Sequence, residues 1–186
     1  MSSAELLETK ILLRPPRPEQ AIHLHHLVAE CPPLDGNSVY CNLLQCSHFA
    51  DTSVAALADG VLVGFISGYL VPGRPDSLFI WQVAVGDKAR GRGLASAMLL
   101  DILERPACRA VRFLETSVTP DNRASWALFR GLADKLGADI DESVLFDKQR
   151  HFGGAHDSEM LCRIGPFRRG PGRKHGRQQS HTESGK

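Results

Sequence analysis

The apolar run Phe79-Ile80-Trp81-Gln82-Val83-Ala84-Val85, followed closely by Arg90-Gly91-Arg92-Gly93-Leu94-Ala95, constrains the fold of this chain more than any other stretch. A short run rich in aromatic and β-branched residues reads as a buried strand. The two glycines bring backbone N–H groups close together with no side chain between them. Leu94, Met98, Ile102 and Leu103 then fall on one face of a helix, which Pro106 stops. Strand, glycine loop and helix in that order make an anion site. Amides at the start of the helix converge on one point, and Arg90 and Arg92 add positive charge. The spacing excludes two familiar phosphate loops. A dinucleotide fingerprint would need its third glycine where Ser96 stands, and a P-loop needs Lys-Ser/Thr after its last glycine. A tight turn before an ordinary helix would use the same glycines, so the loop alone does not settle a function.

The remaining punctuation predicts one domain over residues 1–167. A strand at Ile11 to Arg14 precedes a helix from Pro18 to Glu30, with Ala21, Leu24, Leu27 and Val28 as its apolar stripe. Asn37 or Ser38 can cap a second helix reaching about Phe49. Asp59-Gly60 reads as the turn of a hairpin between Thr52 to Ala58 and Val61 to Val71. A loop from Pro72 to Asp76 leads to the central strand. After the glycine-loop helix come a strand at Val111 to Val118 and a helix from Pro120 to about Leu136, with Trp126, Phe129 and Leu132 inward. Short strands come next, near Val144 to Phe146 and Glu159 to Ile164. The order β-α-α-β-β-β-α-β-α-β-β predicts an α/β fold with one sheet. From 168 to 186 the chain is basic, polar and free of apolar residues, and reads as a solvated, disordered tail.

Composition narrows the function classes. A net charge of +1 gives no global electrostatic case for nucleic acid or a membrane surface. No apolar run reaches bilayer length and no secretory leader is visible, which points to the cytoplasm. The five cysteines are odd in number and form no Cys-x-x-Cys pair, as expected of reduced thiols. His23, His25 and His26 share a helix without a convincing carboxylate partner, so they read as a solvated face and no metal site is expected.

A second motif completes the first. Asn122-Arg123-Ala124-Ser125-Trp126-Ala127-Leu128-Phe129 opens the helix after the Val111 strand. Together with Arg-Gly-x-Gly-Leu-Ala it resembles the GCN5-related N-acetyltransferases (GNAT). The resemblance covers about Ile11 to Phe167. It implies a mixed, mostly antiparallel sheet, splayed at its central strands and flanked by helices, with acetyl-coenzyme A as cosubstrate. It also implies a cofactor site made of Val83, Ala84, Val85, Arg90, Gly91, Arg92, Gly93, Leu94, Ala95, Asn122 and Ser125. Many members carry a tyrosine where this chain has Phe129, which has no proton to give a departing thiolate. A thiol with a pKa near 8.5 can leave without that help.

Finer features resemble one branch of that family, whose members acetylate the 4-amino group of L-2,4-diaminobutyrate in ectoine synthesis and are typically homodimers. They are Leu34-Asp35-Gly36-Asn37-Ser38-Val39-Tyr40-Cys41, Arg74-Pro75-Asp76, Leu114-Glu115-Thr116-Ser117-Val118, Phe152-Gly153-Gly154-Ala155-His156-Asp157 and Arg163-Ile164-Gly165-Pro166. The substrate carries two ammonium groups and one carboxylate. Asp35 and Glu115 suit the ammoniums, Trp81 offers an aromatic face to a cation, and Asn37, Tyr40 and His156 can bond the remaining polar groups. Glu115 interrupts an apolar strand, which makes it the candidate catalytic residue, holding the reacting amine or relaying its proton. Acetylation of another small amine, or coenzyme A binding without catalysis, stays open at this point.

Overall fold

The alternation of strand and helix signals is realised in the expected order in a computed structural model, which describes residues 10–32 and 34–167. The strands are β1 (Ile11–Arg14), β2 (Val54–Ala58), β3 (Val61–Val71), β4 (Arg74–Val85), β5 (Phe113–Val118), β6 (Ile140–Phe146) and β7 (Glu159–Ile164). The helices are α1 (Ala21–Ala29), α2 (Val39–Ser47), α3 (Leu94–Glu104) and α4 (Arg123–Leu136). The basic tail anticipated from Arg168 onward lies outside the described residues.

All seven strands form one sheet in the order β1-β2-β3-β4-β5-β7-β6. Among the described residues only β4 and β5 run parallel, and every other pairing is antiparallel. One face carries α3 and α4. There Ile66, Leu78, Ile80, Met98, Ile102, Leu114, Phe129 and Leu132 make the larger core. The other face carries α1 and α2, where Leu24, Leu27, Val28, Cys46, Phe65 and Ala84 pack together. Each fully buried large aliphatic or aromatic side chain contributes about 1.5–3 kcal/mol of transfer free energy. The two cores share the sheet as a common wall.

Several boundaries differ from the sequence reading. β4 starts at Arg74, because Pro72-Gly73 alone closes the hairpin. Gly73 takes φ +77°, and Arg74 already pairs with Val71. The helix expected from Pro18 begins as a single 3₁₀ turn, Pro18–Gln20. α4 starts at Arg123, behind an Asn122 cap whose side-chain oxygen accepts from the Ser125 N–H. β6 is longer than Val144 to Phe146, since its exposed polar stretch Asp141-Glu142-Ser143 pairs with β7 as well.

One irregularity organises the centre of the sheet. Gly68 pairs with Ile80 and Ser67 with Gln82, so Trp81 has no partner on β3. This bulge changes which face β4 shows. Leu78 and Ile80 point to the α3/α4 core before it, and Val83 and Val85 pack toward that same core after it. Gly68 is required here by close approach. A Cβ would stand 2.9 Å from the Phe79 carbonyl oxygen and 3.0 Å from that of Thr52.

Candidate active site

Pairing between β4 and β5 stops where the bulge begins. Their ladder runs from Ser77↔Phe113 to Ile80↔Thr116, and the Thr116 hydroxyl donates to the Ile80 carbonyl at 3.0 Å. Beyond it β4 continues beside β3 while β5 continues beside β7, and a gap opens between them. The Gly86 N–H donates to the Val63 carbonyl oxygen at 3.0 Å. Groups alternate sides along an antiparallel ladder, so Ala84 and Gln82 also turn their backbone groups to β3, and those of Val83 and Val85 turn to the gap. The gap therefore has unpaired N–H donors along one edge, which suits an acyl carbonyl and an amide-bearing arm. Ala84, expected from the sequence among the cofactor residues, faces away from the gap in this alternation. Its side chain is fully buried against α1, and its backbone belongs to β3.

The glycine loop closes one end of the gap. Gly91 and Gly93 adopt φ +73° and +71°, and Gly93 caps α3 in the left-handed region. A Cβ would meet nothing within 4 Å at either position. Conformation, not space, demands glycine there. A cavity of about 340 Å³ runs from this loop along β4, with Val83, Val85, Gly91, Gly93, Ser96 and Asn122 on its walls. Leu94, Ala95 and Ser125 of the expected set line it as well, while Arg92 is exposed and lies outside the lining. Arg90 lines the same cavity. Its guanidinium is held by the Asp87 carboxylate at 2.7 Å and by the Val85 carbonyl at 2.9 Å, so it braces the loop against β4.

The amine side is built by three segments that converge on the bulge. Gln82 donates to the Asp35 carbonyl oxygen at 3.2 Å and accepts from the Asn37 amide at 3.0 Å. The His25 ring nitrogen Nδ1 meets the Asn37 carbonyl oxygen at 3.0 Å. His25 is thus an anchor of this loop rather than part of a solvated face. From the other side the 147–158 loop brings His156 to 3.8 Å from the Asp35 carboxylate and 4.0 Å from that of Glu159. His156 Nδ1 lies 2.7 Å from the Asp157 carbonyl oxygen, a bond that needs the proton on Nδ1 and leaves the neutral ring's lone pair on Nε2. Trp81 is 44% exposed at the bulge. Tyr40, on the first turn of α2, is 70% exposed and is not drawn into these contacts.

Glu115 does not stand free at the gap. It pairs opposite Phe79, on the closed part of the β4–β5 ladder, and is 1% exposed. Arg74 grips both of its oxygens, at 2.6 and 2.9 Å, and Arg163 donates to one of them at 2.9 Å. Arg163 also lies 3.7 Å from the Phe113 ring centroid. A buried carboxylate must be compensated in this way. Guanidinium donors fill three of its roughly four acceptor positions, so Glu115 ties β4, β5 and β7 together beside the amine-holding or proton-relaying role that the sequence proposes for it.

Gln82, His25 and Glu159 are site residues that the sequence reading missed. Gln82 offered a signal, a polar residue inside an apolar strand. The other two become visible only when distant segments meet.

A splayed sheet, a gap edged with free amides and a glycine loop at a helix start define an acyl-coenzyme A-dependent acyltransferase fold, and the chain belongs to the acetyltransferase (GNAT) family, whose model matches residues 20–133. Within it the chain is similar to L-2,4-diaminobutyric acid acetyltransferases. The chain is 56% identical to that of Methylotuvimicrobium alcaliphilum over 85% of this chain and 92% of that protein. It is 47% identical to that of Halomonas elongata over 84% and 82%. The solved diaminobutyrate acetyltransferase of Paenibacillus lautus, in complex with its substrate L-2,4-diaminobutyric acid and coenzyme A, shares 38% identity and a TM-score of 0.82 over 88% of this chain and 99% of that one. No helix among the described residues is long and apolar enough to cross a membrane.

Proposed function

We propose that this chain transfers the acetyl group of acetyl-coenzyme A to the 4-amino group of L-2,4-diaminobutyrate, as a homodimeric cytoplasmic enzyme of ectoine synthesis. The observation that carries the proposal is the open β4 edge at Val83 and Val85, between the glycine loop and the Asp35–His156 contact. The named relatives supply the substrate. Five free thiols fit a reducing compartment. The outer strand β6, with Val144 and Phe146 exposed, offers an edge for a second copy.

Acetyl-coenzyme A supplies an acyl carbon activated as a thioester. The N–H of Val83 donates to the acyl oxygen, where negative charge grows as the amine attacks. Val85 pairs with the arm that carries the thioester, and the amides around Gly93 face the diphosphate. Asp35 and Glu159 attract the ammonium groups of the substrate, and Trp81 covers them with its ring. His156, with Nε2 bare, takes the proton that the attacking nitrogen must lose. Phe129 is 2% exposed within the core and contributes no proton, so the thiolate leaves as the anion.

The test is thiol release from acetyl-coenzyme A with L-2,4-diaminobutyrate, and with lysine, ornithine and spermidine in parallel, together with mass analysis of the acetylated position. Release with diaminobutyrate, acetylated at N4, is expected. Release with another amine alone would keep the reaction and discard the substrate. No release, with coenzyme A still bound, would leave a binding module.

A further inference from the structure

The cations around the diphosphate loop are not equivalent. Arg90 is tied to Asp87 and to the Val85 carbonyl. A cation outside the two sequence motifs reaches the same helix end from α4. Lys135 Nζ lies 2.7 Å from Ser96 Oγ. Ser96 is 8% exposed, sits in the first turn of α3 and forms part of the cavity wall with Gly91, Gly93 and Asn122. Arg90 of the loop pairs with a carboxylate, whereas Arg92 of the loop and Lys135, both exposed, are in no ion pair among the described residues. The hydrogen-bond partner of Lys135 is a neutral hydroxyl. An ammonium against the first turn of a helix faces the positive end of the macrodipole, where a cation is disfavoured. That placement becomes favourable when an anion joins the helix end and the ammonium together.

We propose that Lys135 is a phosphate-binding residue at the rim of the cofactor site, extending from α4 beside Ser96 to a phosphate group of coenzyme A. The inference rests on coenzyme A being the cofactor of the proposed acetyl transfer. Coenzyme A carries a diphosphate and a 3′-phosphate, and both present the same chemistry to an ammonium. Ser96 Oγ holds the side chain in place before the phosphate arrives. Lys135 takes no part in the acyl transfer itself.

The experiment is calorimetric titration of the full chain, at low and at moderate salt, with coenzyme A and with 3′-dephospho-coenzyme A. It compares the wild type with Lys135→Ala, Lys135→Arg and Ser96→Ala. Lys135→Ala should weaken coenzyme A binding about three- to tenfold, most at low salt, and Lys135→Arg should restore most of it. The KM for acetyl-coenzyme A should rise with kcat and the KM for the amine unchanged. Loss of the penalty with the dephospho form assigns Lys135 to the 3′-phosphate, and persistence assigns it to the diphosphate; either result supports the proposal. Equal affinity of wild type and Lys135→Ala for coenzyme A overturns it. So does a lowered melting temperature, shared with Ser96→Ala, at unchanged affinity, since that describes a strut between helices. Failure of the wild type to bind coenzyme A would remove the cofactor assignment beneath it.

Discussion

Replacing Glu115 by Gln separates a structural tie from a catalytic base. The substitution keeps the side-chain shape and one acceptor oxygen. It turns an amide NH₂ toward an Arg74 nitrogen that now donates to Oε2 at 2.9 Å, so donor faces donor. Removing one member of a fully buried ion pair costs about 3–5 kcal/mol. Here the partners are less buried, with the side chains of Arg74 and Arg163 49% and 33% exposed, so both can recover water. That discounts the cost to about 2–3 kcal/mol. For a chain of this size each kcal/mol moves the melting temperature about 2–4 °C, which gives a fall of about 4–12 °C. The assay is a thermal melt beside initial-rate kinetics at 25 °C, with rates referred to folded protein. The expected result is a clear drop in melting temperature with kcat kept within about tenfold. A melting temperature within about 1 °C of wild type, with kcat lost by more than about a hundredfold, would refute the structural assignment and return Glu115 to the chemistry.

Gly93→Ala should cost about 1–2 kcal/mol, because φ +71° strains any residue with a Cβ although open space surrounds it, and coenzyme A affinity should fall with it; melting and titration read both. Gln82→Ala releases the Asp35 and Asn37 contacts, so the KM for diaminobutyrate should rise about tenfold while the Kd of coenzyme A stays put. Burial pushes the thiols of Cys46 and Cys162 up to about 11, so both should resist alkylation at pH 8 in the native protein and react once it is unfolded. Their raised folded values also mean that the unfolded chain releases these protons first. Stability should therefore fall as pH rises from about 9 to about 11, which denaturant titrations at stepped pH would show.

The cofactor half of the site was legible in the chain because its determinants are local. Gly91 and Gly93 are needed for backbone angles that few other residues adopt, and Asn122 caps the helix that it begins. The succession of strands and helices along the chain also came from turn and cap residues. The amine half was only partly legible. Alternation along Phe79 to Val85 puts Trp81 and Val83 on one face, but the bulge removes Trp81 from the ladder and shifts the phase of the residues beyond it. Whether a buried carboxylate is free or occupied depends on residues far along the chain. Arg74 and Arg163 reach Glu115 from β4 and β7, so no local pattern around Leu114-Glu115-Thr116 distinguishes a base from a tie. His25 and Glu159 are ordinary in sequence and gain a role only from the segments that fold against them.

The bracing of Arg90 has a kinetic consequence. With its guanidinium already held by Asp87 and the Val85 carbonyl, the diphosphate loop has its working shape before any ligand arrives. Little ordering entropy is then lost on capture, and the acyl donor can associate by a single collision step without waiting for a rearrangement. On the acceptor side Gln82 and His25 anchor the Asp35–Asn37 backbone, but the Asp35 carboxylate itself is not held. The Asp35 side chain is 92% exposed, and its contact with His156 spans 3.8 Å. That asymmetry favours an order of addition in which the donor enters first and the amine closes a pocket that the donor has half built.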